Sequence, residues 1–283
     1  MVGTFSEGLA PARPYGVRLW GFVNAGGHFA TPPKIRADEV GPLSGGLATI
    51  IVDGKTGYVN RSGKTVIEPS FVRADPFSDG FARVVTTGPC LYKTNDGPCS
   101  EPIILPGYVT PYEFRQHNAQ SEVEVCRFSF IDGTGRLLTN LTFEDADGFS
   151  EGLAAVKIGK LWGYIDTTGA VVIPPSFTYA KSFADGRALV ERARSTLEYI
   201  NKSGQTVIPP RFKYADSFSE GLAAVSTGDF YIYIDRAGKQ AIAARFVKAS
   251  HFYKGLAHVQ LMQKSDRFAY INRTGHIVFT YLP

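Results

Sequence analysis

The sequence lacks the long apolar segments that mark membrane and secreted proteins. No stretch approaches the roughly 18 consecutive apolar residues of a transmembrane helix, so we expect no membrane-embedded segment. The first residues, Met1 to Thr4, carry neither the basic nor the apolar region of a signal peptide. Together these absences favour a cytoplasmic protein.

The motifs of the common enzyme classes are missing as well. There is no Gly-x-Ser-x-Gly nucleophile elbow, no phosphate-binding P-loop, no His-Glu-x-x-His zinc motif and no Gly-x-Gly-x-x-Gly dinucleotide motif. The five histidines are scattered without a common spacing, which favours turn and surface positions. We therefore expect no catalytic site, no metal site and no cofactor.

Strong charge is also absent. The net charge is +4, and no block of five or more Lys and Arg residues occurs, so nucleic-acid binding is disfavoured. Charged residues make up 20% of the chain, hydrophobic residues 44% and aromatic residues 13%, which is typical of a packed domain rather than a disordered one.

A six-residue motif, Phe-Ser-Glu-Gly-Leu-Ala, recurs along the chain. It occupies 5–10, 149–154 and 218–223, and altered copies occupy 43–48, 77–82, 183–188 and 252–257. Its glycines lie 34 to 38 residues apart, except for one interval of 72 residues between Gly80 and Gly152. A period of this length is typical of a repeat array, in which each unit buries its apolar face against a neighbour. Since such arrays mostly bind other molecules, the motif favours a binding protein.

Each repeat predicts three short strands. In the clearest copy the apolar runs 153–158, 161–166 and 170–173 are separated by 159–160 and by 167–169. Runs of four to six residues that are rich in Val, Ile and aromatic residues are typical of strands and hairpins. We expect a three-stranded antiparallel meander, followed by a return segment of ten residues that leads into the next repeat.

Turn residues punctuate the repeats. An Asn or Asp followed three residues later by Gly occurs seven times, at 24–27, 60–63, 132–135, 166–169, 201–204, 235–238 and 272–275. The first side chain can bond to the backbone two residues on, and the glycine can take the left-handed conformation that closes a hairpin. The pairs Pro32-Pro33, Pro174-Pro175 and Pro209-Pro210 predict the end of the third strand, because proline cannot donate to a sheet ladder.

Several of these motifs, in the same order, resemble the WG-repeat family, also called KWG repeats. The residues that carry the resemblance are Trp-Gly-Phe-Val-Asn at 20–24 and Lys-Leu-Trp-Gly-Tyr-Ile-Asp at 160–166, with Val-Ile-Pro-Pro-x-Phe and the six-residue motif around them. The resemblance covers nearly the whole chain except 88–126. It implies a bacterial β-repeat module, and it brings no enzymatic activity that could be transferred to residues of this chain.

The repeats extend from residue 5 to residue 280, so we expect one domain, 1–283. The expected fold is all-β, with seven repeated three-stranded antiparallel meanders. Two arrangements fit this pattern: a closed seven-bladed β-propeller and an open β-solenoid. The chain begins at the end of a return segment and finishes in a third strand, so its two termini would together complete one unit. We therefore favour the propeller.

The interval of 72 residues contains an insertion at 88–126 within the third repeat. Insertions in repeat proteins lie on one face, which is often the binding face. This insertion holds two basic residues against five acidic ones and is rich in aromatic residues. Tyr and Arg are frequent interface anchors, and the candidate binding residues are Tyr92, Tyr108, Tyr112, Phe114 and Arg115. The alternative is a hairpin that folds back on the repeats.

All three cysteines lie in this insertion. Cys90 and Cys99 occupy equivalent points of two Gly-Pro-Cys sequences, so a hairpin would bring them together and allow a disulfide. A cytoplasmic location favours free thiols instead, for these two and for Cys126.

Two recurring residue types allow a functional and a structural interpretation. The aromatic residues Phe71, Phe177, Phe212 and Phe246 could stack on a ligand or form the core between units. An acidic residue also precedes the motif glycine in five copies, as Glu7, Asp79, Glu151, Asp185 and Glu220. These carboxylates could bind cations or basic peptides, or accept a turn bond from the backbone, and the structural interpretation is favoured for both sets.

The expected function is that of a non-catalytic binding scaffold. A protein or peptide partner would contact the insertion 88–126 and the loops beside it. One alternative is an enzyme or enzyme accessory subunit with its site in the insertion. Another is a carbohydrate-binding module that uses the recurring aromatic residues. The partner's identity and the oligomeric state are left open by the sequence.

Overall fold

The computed structural model describes residues 1–85, 127–192, 197–262 and 267–282. In these ranges the regular elements are all strands, joined by turns, bends and irregular segments, so the all-β prediction is confirmed. None of the described residues forms a helix that could cross a membrane.

The strands form successive antiparallel sheets along the chain. Units one to three comprise β1 (Leu9–Ala12), β2 (Leu19–Asn24), β3 (Phe29–Arg36); β4 (Glu39–Ser44), β5 (Leu47–Val52), β6 (Lys55–Asn60), β7 (Thr65–Phe71); and β8 (Arg73–Ala74), β9 (Phe81–Val85), β10 (Phe128–Asp132). Units four and five comprise β11 (Asp145–Ala146), β12 (Leu153–Ile158), β13 (Leu161–Asp166), β14 (Val171–Phe177); and β15 (Tyr179–Ala180), β16 (Ala188–Glu191), β17 (Leu197–Ile200), β18 (Thr206–Phe212).

Units six and seven share one sheet of seven strands. These are β19 (Tyr214–Ala215), β20 (Ala223–Ser226), β21 (Tyr231–Ile234), β22 (Phe246–Ala249), β23 (Leu256–Leu261), β24 (Phe268–Asn272) and β25 (Ile277–Tyr281). The sheet is continuous because β22 pairs with β21 through Phe246 and with β23 through Lys248 and Ala249.

The predicted three-stranded meander is confirmed in every unit but the third, where isolated bridges at Leu137 and Phe143 stand in place of a third strand. The return segment adds a further short strand to the sheet. In unit four, Ala146 of β11 pairs with Val156 of β12. In unit one the same role falls to the first residues, because Val2 bridges to Ala12. The return segment therefore belongs to the sheet of the unit that it leads into.

The predicted turns are confirmed. In unit four the Asp166 carboxylate accepts hydrogen bonds from the backbone N–H groups of Thr168 and Ala170, and Gly169 has a φ of 82°. The six-residue motif forms a second, two-residue turn in which Glu151 and Gly152 both have positive φ, 55° and 83°. Ser150 and Leu153 close this turn by exchanging backbone hydrogen bonds. This is the primed turn geometry that suits the twist of a β-hairpin.

The prediction that the proline pairs end the third strand is wrong. Strand β14 continues through Pro174 and Pro175 to Phe177, with a bulge between the pairs Tyr164–Ile173 and Trp162–Phe177. Prolines are accepted there because β14 is an edge strand, so no neighbour needs their missing donors. The bulged backbone lies against Gly163, where an added Cβ would stand 2.5 Å from the Ile173 carbonyl oxygen. This close approach therefore requires glycine at the second position of the Trp-Gly motif.

The core lies between consecutive units. An aromatic ring on the middle long strand packs against the aromatic residue of the next unit's six-residue motif, with centroid distances of 4.9–5.0 Å. These pairs are Tyr58–Phe77, Phe130–Phe149, Tyr164–Phe183, Tyr199–Phe218 and Tyr233–Phe252. Phe177, Phe212 and Phe246 are also buried, at 0–2% exposure. A sugar could not stack on rings at such positions, which favours the core interpretation of these three.

Closure of the repeats into a ring through the termini is not seen among the described residues. Unit one takes its outer pairing from its own Met1 to Gly3, and β25 pairs only with β24. Tyr270 is the middle-strand aromatic residue of unit seven, and it is 39% exposed. Phe5 is the motif aromatic residue of unit one, and it is 50% exposed. Among the described residues, the faces of unit seven and unit one are therefore not packed against each other.

Candidate interaction edge

The turns of the repeats lie at two opposite ends of the strands. At one end, the uniform edge, lie the turns of the six-residue motif and the Asn/Asp-x-x-Gly turns. At the other end, the variable edge, lie the connections between the first and second long strands of each unit. The length of these connections varies from unit to unit. Two of them, 53–54 and 159–160, have only two residues, and 227–230 and 13–18 have four and six. The longest, 86–127, joins β9 to β10. The variation in loop length is therefore concentrated at one edge.

The uniform edge is held together by bonds from one unit to the next. The Glu151 carboxylate of unit four accepts a 3.0 Å hydrogen bond from the backbone N–H of Gly186 in unit five. The Lys202 ammonium lies 3.2 Å from the same carboxylate and donates to the Glu151 carbonyl oxygen at 2.8 Å. Glu7, Asp79, Asp185 and Glu220 accept the same glycine N–H bond. The structural interpretation of these acids is confirmed, because each carboxylate accepts a backbone hydrogen bond. The donor lies in the next unit, however, and not in the acid's own turn.

Serine side chains add a second bond at most of these junctions. The hydroxyl of the motif serine donates to the backbone carbonyl oxygen of the next unit's motif aromatic residue at 2.5–2.7 Å. The pairs are Ser44–Phe77, Ser78–Phe149, Ser150–Phe183 and Ser219–Phe252. The recurring polar groups of the uniform edge are thus occupied by contacts between units and are not free for a ligand.

The variable edge instead presents cationic groups over aromatic rings. The Arg192 guanidinium lies 4.4 Å from the centre of the Phe177 ring, and that of Arg245 lies 4.2 Å from the centre of the Phe230 ring. Similar pairs are Arg13 with Trp20 and Lys213 with Tyr214. Exposed apolar side chains accompany them, including Tyr15, Ile158, Leu161, Tyr214 and Met262.

Arg192 is held in place by a buried carboxylate. Glu198 is only 4% exposed, and it accepts hydrogen bonds from the Arg192 Nε at 2.7 Å and from the Thr206 hydroxyl at 2.9 Å. The guanidinium is therefore already ordered in the free protein, which lowers the entropy cost when a partner contacts it.

The insertion leaves the sheet at the variable edge. Strands β9 and β10 stay paired up to Val85 and Phe128, which form the last pair of the ladder on the side of the insertion. The Arg127 guanidinium lies 3.3 Å from the Glu144 carboxylate, which also accepts the backbone N–H of Gly159 in the neighbouring turn. The root of the insertion is thereby tied to unit four.

The predicted binding residues fall outside the described ranges. This holds for Tyr92, Tyr108, Tyr112, Phe114 and Arg115, and also for the three cysteines Cys90, Cys99 and Cys126. Their predicted roles remain predictions. The structure nevertheless shows that the strands flanking the insertion point to the edge with the cation–aromatic pairs.

Several charged side chains of the return segments form ion pairs. The Arg83 guanidinium donates to Asp75 at 2.6 Å, and the Lys181 ammonium lies 3.1 Å from Asp216. Burial raises the pKa of the Asp147 carboxyl, which the nearby Arg83 cation only partly offsets. In the described part of the chain, no three His, Cys, Asp or Glu side chains are grouped as a metal site.

The sequence prediction missed the cation–aromatic pairs. Arg245 and Phe230 lie on separate connections and meet only when β21 and β22 pair. A usable signal does exist, because basic residues flank the aromatic residue that ends a third strand, as in Arg211-Phe212-Lys213 and Arg245-Phe246. These residues lie at the variable edge because each third strand ends there.

Comparison with known proteins agrees with this geometry. The profile of the WG containing repeat family matches residues 20–55, 57–88, 128–162, 162–192, 199–229 and 233–263. The chain therefore belongs to the WG-repeat family. No curated protein sequence matches it.

Solved structures resemble the chain at low sequence identity. A eukaryotic initiation factor is 11% identical and has a TM-score of 0.55, over 93% of this chain and 71% of that one. The computationally designed Ika8 protein is 10% identical and has a TM-score of 0.50, over 98% and 85% of the two chains. BamB from Moraxella catarrhalis is 11% identical and has a TM-score of 0.47, over 100% and 87%. The first two likenesses show a propeller-like repeat fold and nothing about function.

Proposed function

We propose that the chain is a non-catalytic binding scaffold that holds a protein or peptide partner at its variable edge. The insertion 88–126 and the neighbouring turns 53–54, 159–160 and 227–230 would make the contact. The observation that carries this proposal is the difference between the two edges. One edge repeats the same interlocking bonds from unit to unit. The other varies in loop length and exposes the cations Arg192 and Arg245 together with the side chains of Tyr15 and Tyr214.

The chemistry of the variable edge suits a protein partner. Interface residues that contribute most binding energy are enriched in Tyr, Trp and Arg. The edge offers the guanidinium groups of Arg192 and Arg245 beside exposed tyrosines such as Tyr15 and Tyr214, and the insertion adds tyrosines and Arg115. Such groups combine a large apolar surface with a polar end, so they bind well to mixed protein surfaces.

Affinity capture from extracts of the native host tests the proposal. The bait proteins are the intact chain, a chain with 86–126 replaced by a short Asn-Gly turn, and the triple variant Tyr108→Ala, Tyr112→Ala, Arg115→Ala. Tyr253→Ala is the matched control, because Tyr253 is 67% exposed and lies at the uniform edge. We expect one protein to be enriched by the intact chain and the control, and to be lost with the other two baits.

The captured protein is then purified and its binding measured by calorimetry. We expect one partner per chain and a weaker affinity for the triple variant. Equal binding to the intact and the loop-replaced chains would contradict the proposal. So would loss of binding in Tyr253→Ala alone, because that result would place the contact at the uniform edge.

A further inference from the structure

Three contacts recur at the junctions between consecutive units. The first is the aromatic pair between the middle strand and the next unit's motif. The second is a hydrogen bond from the hydroxyl of that tyrosine to a backbone carbonyl 17 residues later, as from Tyr164 to Lys181 at 2.8 Å. In the third, a third-strand side chain lies beneath the turn glycine of the next unit, as Ile173 does beneath Gly204.

Unit seven presents one half of each contact without a partner among the described residues. Tyr270 occupies the position of Tyr164 and is 39% exposed, whereas Tyr58, Tyr164, Tyr199 and Tyr233 are fully buried. Phe279 pairs with Tyr270 as Ile173 pairs with Tyr164, and it is 59% exposed whereas Ile173 is 3% exposed. The outer face of unit seven is therefore a junction surface that none of the described residues covers.

Unit one presents the other half. Phe5 is 50% exposed, although the corresponding aromatic or leucine residue of each later unit is at most 4% exposed. These residues are Leu43, Phe77, Phe149, Phe183, Phe218 and Phe252. A Cβ added to the turn glycine Gly27 would meet nothing within 4 Å, whereas Gly204 and Gly238 each lie over an isoleucine. Unit one thus exposes an aromatic ring and a turn glycine, which are the groups that a face like that of unit seven contacts at an internal junction.

The acid and the cation of the uniform edge are not required for such a junction. Between units two and three, Gly45 replaces the acid and Gly133 replaces the cation. Even so, Gly135 lies over Ile67, and the Tyr58 and Phe77 rings are in contact. Unit seven has Lys254 at the acid position, and unit one has Ala25 at the cation position. These two replacements therefore do not prevent units seven and one from meeting.

We propose that unit seven of one copy of this chain docks on unit one of a second copy. The Tyr270 ring would pack on the second copy's Phe5, and its hydroxyl would donate to the Gly3 carbonyl oxygen. Phe279 would lie beneath the second copy's Gly27. The occupant is a second copy because these groups complement one another as in the internal junctions, yet do not meet within one chain. Such a contact is heterologous, so it generates rings or filaments.

Sedimentation velocity on two face variants and their mixture tests this proposal. Phe279→Asp disables the face of unit seven and Phe5→Asp disables that of unit one, and both side chains are exposed at present. We expect the unaltered chain to grow in mass with concentration. Each variant should be monomeric, with its affinity reduced about tenfold or more. An equimolar mixture should form a dimer and nothing larger, because one intact face of each kind remains.

The dimer in the mixture also shows that the variants are folded. Tyr15→Asp is the control, since Tyr15 is fully exposed on the variable edge and should leave association unchanged. Several outcomes would overturn the proposal. These are a monomer at every concentration of the unaltered chain, closure of unit one on unit seven within one chain, and association that persists in Phe279→Asp.

A pair of charge variants tests the register of the contact. Lys254 stands where Glu151 stands in unit four, and Ala25 stands where Lys202 stands in unit five. Ala25→Glu should place a carboxylate opposite Lys254 and tighten association about two- to fivefold, whereas Ala25→Lys should weaken it to a similar extent. Both effects should shrink in high salt. Equal effects of the two variants would contradict this register.

Discussion

The Tyr199 hydroxyl donates a 2.6 Å hydrogen bond to the backbone carbonyl of Asp216, across the boundary between units five and six. The same bond joins Tyr58 to Asp75 and Tyr233 to Ser250. Burial raises the pKa of the Tyr199 hydroxyl, which stays protonated and able to donate. Each such tyrosine thus fixes the return segment that begins the next unit.

Removal of this hydroxyl should destabilise the array. Tyr199→Phe leaves the Asp216 carbonyl without its donor, and an unsatisfied buried polar group costs about 1–3 kcal/mol. The free energy of unfolding in urea measures the loss. Tyr214→Phe is the matched control, because Tyr214 is 50% exposed and its change should alter the free energy by less than about 0.5 kcal/mol. Equal effects of the two changes would show that the hydroxyl bond is unimportant.

The glycine of Trp-Gly should tolerate no side chain in unit four. A Cβ at position 163 would stand 2.5 Å from the Ile173 carbonyl oxygen, so Gly163→Ala must push the bulged strand away. We expect a loss of about 1–3 kcal/mol in the free energy of unfolding. Gly148→Ala is the control, since nothing lies within 4 Å of its added Cβ. A Gly163→Ala protein as stable as the control would refute this explanation of the motif.

Local sequence signals predicted the turns well, because the residues that decide them are adjacent. Asp166 bonds to Thr168 and Ala170 within its own turn, so the pattern alone is sufficient. The continuation of β14 through Pro174 could not be predicted locally, because the bulge is permitted by Gly163 on the facing strand.

The candidate site was only partly predictable for the same reason. The insertion stood out because it interrupts the repeat period. The ordered Arg192, by contrast, depends on Glu198 and Phe177, which lie on two other strands. The carboxylate bond of Glu151 to Gly186 likewise exists only after the units pack.

Two acidic side chains should give opposite pH dependences. Burial raises the folded-state pKa of Asp147, so its contribution to stability is present below the unfolded pKa and is lost as the pH rises. Asp147→Asn should therefore be more stable than the unaltered chain near neutral pH, by less than about 1 kcal/mol, and the gain should vanish in acid.

Asp132 provides the opposite case. Its hydrogen bond from the Thr134 hydroxyl lowers its folded-state pKa, so its contribution is present above the unfolded pKa and is lost as the pH falls. Asp132→Asn should reduce stability near neutral pH and make little difference in acid. Denaturant titrations from acid to neutral pH measure the stability of both variants, and parallel pH profiles would contradict at least one of the two assignments.

The fold should survive removal of the insertion. Val85 and Phe128 are already paired, so replacing 86–126 by a short Asn-Gly turn should close a normal hairpin. Circular dichroism should show an unchanged strand spectrum and a single cooperative melting transition. Loss of that transition would show that the insertion is part of the core.

The footprint of a captured partner, measured by hydrogen exchange on the intact chain, tests the central claim most directly. The account predicts slower exchange in 86–126 and at the turns 53–54, 159–160 and 227–230. It predicts unchanged exchange at 150–153 and 166–170, where the polar groups already bind neighbouring units or their own turns. Protection concentrated at 150–153 and 166–170, with none at the variable edge, would contradict it.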